Sequence, residues 1–81
     1  MIRVFFFAQV KELIGTGYLE LEGVFVTAED IRVHLAANGD KWSLALESGK
    51  LLVAINHTIS ELMTPVKDGD EVAFFPPVTG G

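Results

Sequence analysis

The residues best placed to do chemistry lie at the end of the chain, in Phe74-Phe75-Pro76-Pro77-Val78-Thr79-Gly80-Gly81. Two prolines cannot donate to a β ladder, so an extended, partly stiffened tail is expected to leave the domain from Pro76 onward. Six extended residues reach at most about 20 Å, enough to enter another protein's active site. Gly80 and Gly81 carry no Cβ, so a carboxylate at the end can pass a channel too narrow for side chains. A carboxylate is a poor electrophile until one oxygen becomes a leaving group. Adenylation by a partner enzyme makes an acyl adenylate, and attack by sulfide or a persulfide then leads to a thiocarboxylate. No Gly-rich phosphate loop for that activation is present, since Gly15-Thr16-Gly17 is too sparse. Catalysis must come from partners. A terminal Gly-Gly alone reads as a frayed end; the preceding strand, outward aromatic and double proline favour the functional reading.

Other chemistries have little support. With no cysteine in 81 residues, a disulfide framework, a thiolate metal site and a cysteine nucleophile are excluded. His34 and His57 lack a metal-ligand spacing, and Ser43, Ser48 and Ser60 lie in no nucleophile elbow. Asp68, Asp70 and Glu71 flank a glycine without making an EF-hand loop, and read as turn and solubility residues. Trp42, Leu44, Ala45 and Leu46 read as core. The formal charge of −5 argues against nucleic acid and is compatible with a basic partner surface. The longest apolar runs, Val4–Ala8 and Leu51–Ile55, are five residues each, too short for a membrane span. A cytoplasmic protein is the expectation.

The elements that must hold the tail follow from hydrophobic spacing. At 49 per cent hydrophobic and 21 per cent charged, the chain reads as one globular domain, expected over 1–75 with the tail over 76–81. Met1–Gln9 reads as a strand with Ile2, Val4, Phe6 and Ala8 on one face and Arg3, Phe5 and Phe7 on the other. After the glycine turn, Tyr18 to Val24 predicts a second strand, hairpin-paired with the first. Thr27 is a candidate N-cap with Asp30 in a capping-box position, opening a helix over 28–38. A short turn through Trp42, a strand over 51–56, a weak one over 59–62 and a last strand over 71–75 complete the order. Hairpin, helix, then short strands predicts α+β rather than alternating α/β. The last strand is expected beside the first, running parallel in the middle of a mixed sheet crossed by one main helix, the β-grasp arrangement. Phe74 shares parity with Val72 and should face the core. Phe75 points the other way, and with Phe5 and Phe7 can form an apolar patch for a partner.

The residues resemble a known family. Phe6-Phe7-Ala8 with Lys11-Glu12-Leu13 and Gly15, Trp42 with Ala45-Leu46, Leu51 to Asn56, and Asp68 through Gly81 are similar to the MoaD family of ubiquitin-like β-grasp proteins, the small sulfur-carrier subunits of molybdopterin synthase. Lys11 stands where the family often has arginine, and Thr16–Val26 matches in character only. The resemblance implies that Gly81 is adenylated by a ubiquitin-activating-like enzyme using ATP and magnesium. A sulfur donor protein would then convert it to the thiocarboxylate. The tail would insert into the large synthase subunit, which would supply the catalytic groups in a heterotetramer, and deliver sulfur to a cyclic pterin precursor for the molybdenum cofactor. It implies Gly80 and Gly81 as the reactive tail, Phe7 and Phe75 as docking hydrophobes, and Pro76, Pro77, Val78 and Thr79 as partner-binding residues. No cofactor or metal is expected on this chain itself. The alternatives are a sulfur carrier for another pathway such as thiamine biosynthesis, a ubiquitin-like protein modifier, and a binding module with an inert tail.

Overall fold

A computed structural model describes residues 1–77. Strand β1 (Ile2–Phe6) runs into helix α1 (Ala8–Ile14), followed by β2 (Tyr18–Leu21), α2 (Ala28–Ala36), α3 (Asp40–Ala45), β3 (Leu52–Ile55), β4 (Thr58–Ser60) and β5 (Glu71–Phe75). The five strands form one mixed sheet in the order β2-β1-β5-β3-β4. β1 and β5 run parallel at its centre, with Val4 beside Val72 and Phe6 beside Phe74. Every other pairing is antiparallel. This is the α+β, β-grasp arrangement expected from the order of elements.

Alternation decides which side is sealed. Ile2, Val4 and Phe6 of β1, Val53 and Ile55 of β3, and Val72 and Phe74 of β5 all point to one face and are buried. Helix α2 closes that face with Ala28, Ile31 and Leu35, spaced three and four apart on one side of the helix. Phe6 and Phe74 stack within this layer at 6.3 Å, and Trp42 meets Phe6 edge-on at 5.9 Å. Thr27 starts α2 with the expected capping box: its hydroxyl accepts from Asp30 N, and the Asp30 carboxylate accepts from Thr27 N. The carbonyls of Thr64 and Leu62 accept from Ala28 N and Glu29 N, so the loop after β4 helps cap the same end. Arg32 grips Glu29 through two nitrogens at 2.6 Å each and donates to Leu46 O at 2.9 Å, tying α2 to the end of α3. The Arg32 hydrogen bonds hold the Glu29 carboxyl below its ordinary range.

The first connection differs from expectation. Strand β1 ends at Phe6, and Ala8 leaves the strand face to open α1 at φ 53. Gln9, Lys11 and Glu12 favour a helix, and Val10 is buried beneath it; seven residues are too few for helical spacing to stand out. Gly15 ends α1 in the left-handed region at φ 91, its N–H donating to Lys11 O at 2.8 Å. So β1 and β2 pair antiparallel as expected, but across a helix instead of a tight hairpin. The helix expected over 28–38 stops at Ala36, and Gly39 opens α3. Leu44, expected in the core, is 62% exposed, because buried Ala45 and Leu46 take the inward side of that turn.

Candidate functional site

The sheet face away from α2 carries the other half of each alternation. Phe5 and Ala73 lie side by side across the central parallel pair, and Ala54 is in register with Ala73 across the next. Phe75 is in register with Leu52 on the same side. Beyond the strand end, Phe7 N still donates to Phe74 O at 3.2 Å, which keeps Phe7 on the open face, 51% exposed. The Phe5 and Phe7 rings lie 6.5 Å apart and nearly parallel, and Tyr18 leans on Phe5 at 4.9 Å. Two alanines between phenylalanine rings leave depth: the surface sinks into an open cleft of about 940 Å³. Its walls include Phe5, Phe7 and Phe75, and Pro76 and Pro77 border it where the chain leaves the sheet. Ile59, opposite Ala54 and exposed, adds a further apolar side chain to this face.

A polar wall bounds the cleft at the start of β5. Glu71 lines it with His57, whose Nε2 lies 2.9 Å from Glu71 Oε2; the other carboxylate oxygen lies 3.6 Å from the Arg3 guanidinium. His57 reaches this place through a tight turn, with Asn56 at φ 50 and His57 at φ 68 joining β3 to β4. The turn is anchored to β5. Asn56 Nδ2 donates to Asp70 Oδ1 at 3.0 Å, and Asn56 Oδ1 accepts from Glu71 N at 3.0 Å. Asp70 also accepts from Lys67 N at 2.9 Å and is 6% exposed. The Asn56 hydrogen bond, with help from the Lys67 amide, holds the Asp70 carboxyl below its usual range. Further along the face Tyr18 donates to Glu20 at 2.7 Å, and that bond raises the phenol above its ordinary value.

The structure thus brings together Phe5, Phe7 and Phe75, as parity predicts, and adds Pro76 and Pro77 to the same cleft. Trp42 packs on the buried side against Phe6, in keeping with its reading as core. Val78, Thr79, Gly80 and Gly81 lie outside the described residues. Asp70 and Glu71 correct the sequence reading: the first is a buried structural carboxylate and the second a wall of the cleft, where turn and solubility residues were expected. Ala54, Ala73, His57 and Ile59 were not singled out as site residues. The pair Asn56-His57 between the apolar run 51–55 and the alternating run 58–62 was the available signal for His57. Among the described residues, no group of three or more His, Asp or Glu is placed to hold a metal ion, and no helix is long and apolar enough to cross a membrane. The site is an apolar cleft with a polar wall, bordered by Pro76 and Pro77.

The ThiS family model matches residues 4–81. A molybdopterin synthase sulfur carrier subunit from Haemophilus influenzae is 64% identical, and one from Escherichia coli is 59% identical; each alignment covers 100% of both chains. Among solved structures, a complex of subunits 1 and 2 of molybdopterin-converting factor from Helicobacter pylori contains a similar chain. It has TM-score 0.67 and 26% identity, covering 99% of this chain and 97% of that one. The small archaeal modifier protein 1 from Methanosarcina acetivorans is similar at TM-score 0.76 and 26% identity, over 99% and 95% of the two chains.

Proposed function

The chain belongs to the ThiS family, and from that membership we propose that it is the sulfur carrier, and the small subunit, of a molybdopterin synthase. The Gly81 carboxylate attacks the α-phosphorus of ATP on an activating enzyme, expelling pyrophosphate and forming an acyl adenylate. A persulfide on a donor protein then attacks the carbonyl carbon and expels AMP, giving an acyl disulfide. A second thiol of the donor attacks the donor-side sulfur, releasing the thiocarboxylate and leaving a disulfide on the donor. ATP and magnesium belong to the activating enzyme. The loaded tail enters the large synthase subunit, where its sulfur attacks the pterin precursor. Water then cleaves the acyl–sulfur bond, leaving the sulfur on the pterin and restoring the Gly81 carboxylate; this chain serves as co-substrate while the large subunit supplies the catalytic groups. Phe7 and Phe75 dock the domain, Pro76 and Pro77 direct the tail outward, and Val78, Thr79 and Gly80 thread the channel.

The observation that carries this reading is the position of the cleft. Its rings are continuous with Pro76 and Pro77, so a partner seated there stands at the root of the tail it must receive. Two full-length relatives at 64% and 59% identity, named as sulfur carrier subunits of molybdopterin synthase, support the same reading. Co-expression with the activating enzyme and a sulfur donor should shift the intact mass by one oxygen-to-sulfur replacement at Gly81. Recovery of only the free acid under conditions that load a known carrier would sink the proposal. A protein-modifier role is the second reading, favoured by the likeness to the small archaeal modifier protein; lysine-linked adducts through Gly81 in cells would select it. Restoration of thiamine synthesis alone in carrier-deficient strains would select a carrier for that pathway.

A further inference from the structure

A second, smaller groove lies across Pro76 from the aromatic cleft, between α1 and α3. Val10 and Ala45 are buried at its base, and Leu13 and Leu44 stand at its edges, 40% and 62% exposed. Neither leucine belongs to the buried core, so both present apolar surface at the seam between α1 and α3. We propose that this groove is a second docking point for the large synthase subunit and takes one large apolar side chain from it. The proposal rests on the sulfur-carrier reading and adds to it a contact on the other side of the tail.

Three features select that occupant. Pro76 lines both cavities, so a subunit that covers the aromatic cleft as far as Pro76 reaches the edge of the groove. The groove's volume is about 230 Å³, and a cavity of about 150 Å³ lined by apolar side chains accepts a benzene ring. One leucine, isoleucine or phenylalanine therefore fits, and a helix does not. Glu47 and Lys50 stand at the rim, one acid and one base, so the site favours a neutral group over a charged one. A groove for one side chain is also far below the roughly 1,200–2,000 Å² that a stable interface buries. It works only for a partner already held elsewhere, as the large subunit is by the cleft and the tail, and this excludes a second copy of this chain.

The test is affinity for the purified large subunit, measured by titration calorimetry on the full chain. Leu44→Asp should weaken binding about tenfold or more, as a buried interface anchor does. Leu13→Asp should act in the same direction, with the double variant falling short of the summed effects. Leu44→Met should stay within about twofold, because it keeps an apolar side chain of similar volume. Thermal melting checks that each variant folds, and the exposure of both leucines makes that the expected result. Phe75→Asp tests the underlying reading separately: wild-type affinity in that variant would remove the sulfur-carrier docking itself. Loss with Phe75→Asp but wild-type affinity for both leucine variants would overturn the groove alone. So would sedimentation showing a dimer of the free chain that Leu44→Asp dissolves without changing large-subunit affinity.

Discussion

The two faces of the sheet are made by the same strands, yet Val72 and Phe74 of β5 are fully buried under α2 while Ala73 and Phe75 line an open cleft. The covered face uses large side chains that fill the space against a helix with Ala28, Ile31 and Leu35. On the open face, alanines sit between aromatic rings and no helix among the described residues covers them, so a cavity remains where the other side has a packed core. Exposed aromatic surface of this kind is a liability unless a partner covers it. The same alternation therefore builds a packed core on one side and, in the proposed function, a docking surface on the other.

Adjacent phenylalanines give the largest test of that separation. Phe74→Ala should cost about 3–5 kcal/mol of folding stability, because it leaves a void in a sealed core. Phe75→Ala should change stability by about 1 kcal/mol or less while weakening the large-subunit complex at least tenfold. Urea unfolding and calorimetric binding measure the two sides. Equal loss of stability in both variants would break the comparison, for the open face would then be a structural core.

A polar seam joins the faces, and acid tests it next. Asp70→Ala removes an acceptor from Asn56 Nδ2 and Lys67 N and should cost about 1–3 kcal/mol. Both Asp70 and Glu29 have carboxyls held below their ordinary values. A lowered folded value means the folded state favours the ionised form. Their stabilisation is thus fully present above the unfolded value, near pH 4, and is lost as pH falls through the lowered folded value. Above about pH 5 neither group should contribute any slope, and Asp70→Ala should flatten the acid limb of the stability–pH curve. The helix cap comes below this in size. Thr27→Ala should cost about 1 kcal/mol and leave large-subunit affinity unchanged, since α2 lies on the covered side.

How much of this was legible depended on the range of each signal. The faces of β1 and β5 followed from strict alternation, and the start of α2 from Thr27 and Asp30 three residues apart. The parallel β1–β5 pair came from the order of elements. Helix α1 was hidden because its seven residues begin inside an apolar run that also reads as strand, and the left-handed Ala8 that divides them has no sequence signature. Asp70 looked like a turn residue because its partner Asn56 is fourteen positions away and meets it only through sheet register. The depth of the cleft has the same origin: Ala54 opposite Ala73 is a fact of register, and neither alanine is informative alone. Leu44 read as core in an apolar stretch, and only the direction of a short helix turned it outward.

The smallest expected effect separates the backbone from the side chain at the polar wall. His57 sits at φ 68, where an L residue is disfavoured by about 1–2 kcal/mol, and its ring reaches Glu71 at 2.9 Å. His57→Ala removes the ring and keeps the backbone penalty. His57→Gly removes both, at the cost of a more flexible unfolded chain worth about 0.4–1 kcal/mol. The glycine variant should therefore be about 0.5–1 kcal/mol more stable than the alanine variant. Both lose the same contact with Glu71, so large-subunit affinity should change equally in the two. Stability that differs while docking does not would mean that the turn strains the fold only to deliver a side chain to the open face. Docking that differs as well would mean that the backbone of the turn is itself part of the recognition surface, and that the polar wall is more than the Arg3, Glu71 and His57 side chains.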